Sequence, residues 1–255
     1  MSGSFKMKFA RKFAMVLSFF FITQSLPAEE FSPVSEERQT FISQSVESWL
    51  QGRYKVDEVS ETPIKEIFEV RIGNELFYVD GKAKFAILEG RMINLKSGED
   101  LTAMRLDKIL TIDFESLPLE LAIKTQTGKE NGAGNTIAVF EDPYCSYCKK
   151  YRMNLEKINN LTIYTFLFPI LSQDSVEISR EIWCSKDNSK AWENFIIRGI
   201  KPSEILTNCK FPKERLLALG KKLGINATPT SYLVSGKRIP GAVSQELLEG
   251  EFSQL

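Results

Sequence analysis

The chain has 255 residues, 43% hydrophobic and 26% charged; it is ordinary globular material, long enough for two modest domains and outside the disordered and fibrous classes. Its 33 basic and 33 acidic residues balance, and histidine is absent. Imidazole-based triads, histidine-ligated zinc and histidine pH switches are therefore excluded, and the chemistry must run on Cys, carboxylate, Lys, Tyr or Ser.

The chain opens with Lys6, Lys8, Arg11 and Lys12 ahead of an apolar run, Phe13 to Ile22, which at about ten residues is too short to span a bilayer. Gln24, Ser25, Leu26, Pro27 and Ala28 follow, so residues 1–28 read as a signal peptide cleaved after Ala28, with Met7 as a second candidate start. Its loss takes four of the 33 basic residues and none of the 33 acidic ones. The acidic balance that remains disfavours a nucleic-acid partner.

From Pro33 to Gln51 the apolar positions Val34, Phe41, Ile42, Val46, Trp49 and Leu50 predict an amphipathic helix that stops at Gly52. Short β-rich runs follow at Ile67–Ile72, Glu75–Val79, Phe85–Leu88 and Met92–Leu95, punctuated by Gly73-Asn74, Asp80-Gly81 and Glu89-Gly90. Asp-Gly between such runs is a hairpin signal, so residues 29–100 read as a small helix-plus-meander α+β domain. Residues 101–135 read as a helical linker, broken near Pro118, and a glycine-rich joint from Gly128 to Asn135.

The second domain, 136–255, predicts a strand at Thr136–Phe140, a helix from Cys145 to about Asn159 and a strand at Leu161–Phe168. A helical stretch around Ile178, Ile182, Trp183, Trp192 and Phe195 comes next, then a helix at Pro212–Leu223 stopped by Gly224. The end is a hairpin about Ser235-Gly236 and a helix from about Ser244. The order is that of an α/β domain with a helical insertion.

Four cysteines in a secreted chain allow three connectivities, and Cys145 and Cys148 stand three apart while Cys184 and Cys209 stand alone. A Cys-x-x-Cys at a strand-to-helix junction sets its first sulfur at the helix N-terminus, where free backbone N–H groups and the dipole favour thiolate. Cys145 is the candidate nucleophile and Cys148 the candidate resolving thiol. Lys149 and Lys150 lie in the same turn; their charge favours a thiolate while opposing the dipole. One zinc held by all four cysteines is disfavoured because the second pair lacks a knuckle spacing, and Cys184 with Cys209 read as a structural bridge. No metal or cofactor is expected. Far downstream, Thr228-Pro229 precedes a β-rich run, alone no more than a turn signal.

The stretch Ala138 to Lys150, with Ile182, Trp183 and Cys184, with Thr228, Pro229 and Thr230, and with Gly236 through Gly241, resembles the bacterial periplasmic disulfide isomerases of the DsbC/DsbG family. Leu117 to Lys124 resembles the family's linker and Asp80 to Leu101 its dimerisation strands, so the likeness covers most of the mature chain. It implies a cystatin-like N-terminal dimerisation domain joined by a helical linker to a thioredoxin-like domain, in a V-shaped homodimer whose apolar cleft holds substrate. Carried over by position, Cys145 attacks, Cys148 resolves, Thr228 and a cis Pro229 shape the substrate groove with Ser146 and Tyr147, and Cys184 bridges Cys209. The implied activity is isomerisation or reduction of non-native disulfides in mis-oxidised periplasmic proteins, with electrons from a membrane reductant of the DsbD type. The alternatives are a thiol-independent holdase chaperone and a DsbG-like reductant of sulfenylated cysteines. Ser146 departs from the glycine common in family isomerases. No counterpart is expected for the buried acid that thioredoxins carry in the strand before the motif, because Thr136–Phe140 is uncharged.

Overall fold

A computed structural model describes residues 34–128 and 134–255. The expected signal peptide, and residues 129–133 of the expected joint, lie outside the described residues. Ser35 caps the first helix, α1 (Glu36–Trp49), by accepting the Arg38 N–H, and Glu36 and Glu37 in its first turn complement the dipole. Only Ile42 and Val46 of α1 are buried; Phe41 and Trp49, expected on the apolar face, are exposed. Those buried residues pack with Val59, Phe68, Val70, Phe77 and Val79. The sheet beneath is antiparallel and ordered β1 (Glu58–Glu61), β2 (Ile67–Ile72), β3 (Glu75–Asp80), β4 (Ala86–Ile87). The run Met92–Leu95 forms no strand and contributes only an isolated bridge from Ile93 to Asp100.

Helix α2 (Leu101–Leu110) starts at its cap Asp100 and is held on the first sheet by polar contacts. Thr102 shares a buried hydroxyl hydrogen bond with Tyr78. Arg105 pairs with Glu58 at 2.5 Å and with the buried Glu69 at 3.0 Å. Burial raises Glu69 above the ordinary carboxylate range, and the Arg105 guanidinium opposes that rise. Beyond α2 the stretch expected as linker makes two 3-10 turns, Phe114–Ser116 and Leu119–Leu121, and then a strand, β5 (Ile123–Gln126), that sequence reading did not anticipate.

β5 belongs to a five-stranded sheet with β6 (Asn135–Glu141), β7 (Leu161–Leu167), β8 (Thr230–Leu233) and β9 (Arg238–Pro240), in the order β5-β7-β6-β8-β9. β6 and β7 are parallel and every other pairing is antiparallel. The crossover between the parallel strands is α3 (Ser146–Leu155). α4 (Gln173–Trp183) and α5 (Asn188–Arg198) form the insertion, followed by α6 (Lys213–Lys222) and the terminal α7 (Gln245–Phe252). This is the thioredoxin-like arrangement with a helical insertion.

The period-two alternation of β6 and its neighbours builds two cores. Ile137, Val139, Ile163 and Leu233 face Tyr151 and Leu155 of α3 and Leu248 and Phe252 of α7. On the opposite face Ala138, Phe140, Phe166 and Tyr232 meet Leu216 of α6 and the 3-10 turns through Phe114, Leu117 and Leu121. Phe140 stacks on Phe166 with centroids 4.7 Å apart. Gly220 is required here, since a Cβ on it would lie 2.2 Å from the Phe168 ring. A third cluster, Ile178, Ile182, Trp192 and Phe195 of the insertion with Leu167 and Ile123, closes around Cys145 and Cys148. Cys184 and Cys209 are bonded, 25 residues apart in sequence, a loop whose closure contributes about 3 kcal/mol in the chain-entropy account.

Candidate active site

The N-caps of α1, α2, α4, α5 and α7 are Ser35, Asp100, Ser172, Asp187 and Ser244, each accepting an N–H through a side-chain oxygen. At α3 the capping atom is the sulfur of Cys145, which accepts the Cys148 N–H at 3.2 Å. A thiol thus takes the position where a helix N-terminus offers its unpaired donors and the positive end of its dipole. The same sulfur lies 3.3 Å from the Thr228 carbonyl, to which the thiol donates. The Thr228–Pro229 peptide is cis, and the Pro229 carbonyl accepts the Gly241 N–H at 2.9 Å, tying the loop to the end of the β8–β9 hairpin.

Cys145 is 7% exposed and Cys148 is fully buried, both as free thiols. The rim around Cys145 is aromatic and aliphatic. Tyr144, Tyr147 and Leu171 are exposed, Tyr144 is braced edge-on against Phe195 of α5, and Ser146 is exposed beside them. The residues expected at the groove therefore surround one sulfur, although Thr228 and Pro229 are 83 and 84 positions away in sequence from Cys145. Cys184 and Cys209 are bonded to each other, tying the end of α4 to the segment before α6. Lys149 and Lys150 are exposed.

Asp142 fixes the loop that carries Cys145. Its carboxylate is fully buried and accepts the N–H groups of Tyr144 at 2.9 Å, Ile170 at 2.9 Å and Leu171 at 3.0 Å, and the Ser175 hydroxyl at 2.8 Å. Four donors from the motif loop, the β7–α4 loop and α4 converge on one side chain. Replacing it by alanine strands them, and we expect Asp142→Ala to lose about 3 kcal/mol in urea unfolding. A loss below about 1 kcal/mol would mean that water satisfies those donors instead.

A buried acid does stand in the strand before the motif, contrary to the expectation from the sequence. β6 runs one residue further than expected, to Glu141, which pairs in parallel register with Leu167 and is completely buried. Burial pushes its carboxyl up to about 7, against the Arg152 guanidinium and the Thr165 hydroxyl, which pull it down. Thr165 donates to Glu141 Oε2 at 3.3 Å. Burial first, and then the Glu141 charge, hold the Cys148 thiol well above the free-cysteine range. Arg152, one turn beyond Cys148 on α3, is buried as well and was not singled out from the sequence. The signal for Glu141 is its spacing: it continues the Ile137, Val139 alternation onto the face that meets α3.

Both domains resemble known proteins. The family described as disulfide bond isomerase protein N-terminal domain matches residues 27–103, and a thioredoxin-like domain family matches residues 120–255. A protein of Bordetella pertussis named "Probable thiol:disulfide interchange protein DsbC" is 40% identical over 196 residues, covering 77% of this chain and 68% of that protein. The "Thiol:disulfide interchange protein DsbC" of Salmonella typhimurium is 26% identical over 226 residues, 87% of this chain and 90% of the other. A solved disulfide interchange protein from Neisseria gonorrhoeae is 31% identical, with 54% of this chain and 97% of that one covered and a TM-score of 0.49.

Proposed function

The chain belongs to the DsbC family of thiol:disulfide interchange proteins, and on that footing we propose that it isomerises or reduces non-native disulfides of periplasmic proteins through a mixed disulfide on Cys145. The observation that carries this reading is the cap of α3, where the one thiol with an exposed apolar rim also receives a helix N-terminal N–H. In the attack step the Cys145 thiolate displaces one sulfur of a substrate disulfide, forming the mixed disulfide and leaving the second substrate sulfur as thiolate. If a substrate thiolate then attacks the mixed disulfide, Cys145 leaves as thiolate and the substrate is reshuffled with no net electron transfer. If Cys148 attacks instead, the Cys145–Cys148 disulfide forms, the substrate sulfur leaves as thiolate, and two electrons pass to the substrate.

The Thr228 carbonyl and Pro229 border the sulfur on one side, and Tyr144, Tyr147 and Leu171 offer apolar surface to an unfolded segment. Such a rim favours exposed apolar chains over a particular sequence. A homodimer fits the first sheet, whose end strand β4 pairs with β3 alone among the described residues and carries or adjoins exposed Phe85, Ile87 and Leu88. A thiol kept available for attack needs a reductant, for which a membrane protein of the DsbD type is the partner we assign. A first domain ending near residue 100, a catalytic domain that takes in β5 from Ile123, and a periplasmic location complete the reading; among the described residues no helix is long and apolar enough to cross a membrane. The mature protein should run as a dimer in light scattering and restore activity to scrambled ribonuclease. A monomer inactive in that assay overturns the reading.

A further inference from the structure

Between α3 and the sheet an apolar layer is interrupted by a polar seam. Thr125 of β5, Thr165 of β7, Glu141 of β6 and Arg152 of α3 are all buried there, beside Cys148. The Arg152 Nη2 donates to Thr125 Oγ1 at 2.5 Å and reaches Glu193 Oε1 of α5 at 3.4 Å. The Glu193 side chain is 39% exposed while that of Arg152 is 1% exposed. Among the described residues, Arg152 Nε and Nη1 and Glu141 Oε1 are buried without a hydrogen-bond partner. Burying a guanidinium and a carboxylate in such a layer costs several kcal/mol, and apolar side chains of similar volume are commonly neutral or better for stability. A charge kept at that cost beside a reactive thiol marks a functional arrangement.

We propose that Arg152 is a positioning residue for the release step, setting the charge that Glu141 carries beside Cys148, and that Glu193 links this buried pair to solvent. The proposal rests on the reading of Cys148 as the resolving thiol. In that step the Cys148 proton passes to the Glu141 carboxylate, the Cys148 thiolate attacks the Cys145 sulfur, the Cys145–Cys148 bond forms and the substrate sulfur departs with the bonding pair. The charged and titratable groups acting on Glu141 are Cys148, Tyr151 and Arg152, all from α3, with the neutral Thr165 donor from β7. Those acting on Arg152 are Glu141 and Glu193. With the guanidinium gone, Glu141 keeps its proton to higher pH and has less capacity to take the one on Cys148. With Glu193 neutral, the whole Arg152 charge acts on Glu141 and the shift is the other way. Attack by Cys145 precedes this proton transfer and is insensitive to it.

The test follows Glu141 by carboxylate-selective NMR titration, and in parallel follows the pH dependence of release from a mixed disulfide preformed on Cys145 with a small peptide thiol. In the wild type the carboxylate should titrate near 7. Arg152→Met should raise the midpoint by at least about one unit and slow release about tenfold at pH 7, while alkylation of Cys145 by iodoacetamide stays within about twofold. Arg152→Lys should restore most of the shift, and the surface change Glu193→Gln should lower the midpoint by a few tenths of a unit. An Arg152→Met protein whose release profile matches wild type, or whose Cys145 alkylation changes as much as its release, overturns the proposal. Should Arg152→Met fail to fold, Glu193→Gln decides: an unmoved Glu141 midpoint there is equally adverse. If instead Cys145 forms no mixed disulfide, the functional reading fails at that point, and the carboxylate titrations still report on Arg152.

Discussion

Replacing Cys145 by alanine abolishes the reshuffling of scrambled ribonuclease, to the rate given by the solution thiol alone. The expectation follows from the inventory of groups at the rim. The chain has no histidine, Cys184 and Cys209 are bonded to one another, and Cys148 is fully buried with a thiol held well above the ordinary range, so no second nucleophile can take over. The variant also loses its sulfur cap, which at a helix N-terminus costs about 1 kcal/mol, too little to unfold a domain with three packed clusters and a disulfide. Far-UV circular dichroism should therefore be unchanged while activity is gone. Suppression of aggregation is the informative second readout. The apolar rim of Tyr144, Tyr147 and Leu171 remains in the variant, so binding of unfolded chains should survive. Retention of reshuffling by Cys145→Ala would mean that the sulfur at the α3 cap is not the reacting atom.

The sequence carried most of this arrangement because its signals were local. The Cys-x-x-Cys lies at a strand-to-helix junction, and Gly224 follows α6 at φ +63° as a terminator should. Turn residues also separate β2 from β3 at Gly73-Asn74. What escaped was set by partners distant in sequence. Ile123–Gln126 is only four residues long and follows leucines at helical spacing; it is a strand because Ile123 and Thr125 pair with Thr165 and Ile163, about 40 positions on. The sequence predicts strand β6 to end at Phe140, yet Glu141 stays in register because β7 continues beside it to Leu167. Arg152 stands among Lys149, Lys150 and other polar residues of α3, and a charge in such company reads as solvated until α5 and β5 are seen to cover it. The last two of these concern charged groups buried against the motif, where the general preference for exposing charge is overridden.

Glu141→Gln separates the two uses of that carboxylate. As proton acceptor for Cys148 it should matter most in the release step, where loss of a positioned base costs on the order of 100-fold. The single-turnover release rate of wild type should climb with pH through about 7 and then flatten, a profile that belongs to the Glu141 and Cys148 pair rather than to either group alone. The glutamine variant should be slow throughout and lack that rise. Stability should respond in the opposite sense. A carboxyl raised from 4.5 to about 7 on folding binds its proton more tightly in the native state, so the contribution is fully present below the unfolded value and is lost as pH rises through the folded one. Between pH 5 and 8 the wild type should lose about 3 kcal/mol from this source, since each unit is worth about 1.4 kcal/mol, and Glu141→Gln should lose none of it. Urea unfolding at the two pH values measures the difference directly. Equal pH dependence in both proteins would show that Glu141 titrates like an ordinary surface acid, and the release step would then have to draw its base from solvent. A variant that is slower in release yet less penalised at high pH is the outcome expected when a buried charge is retained for reaction at the expense of the fold.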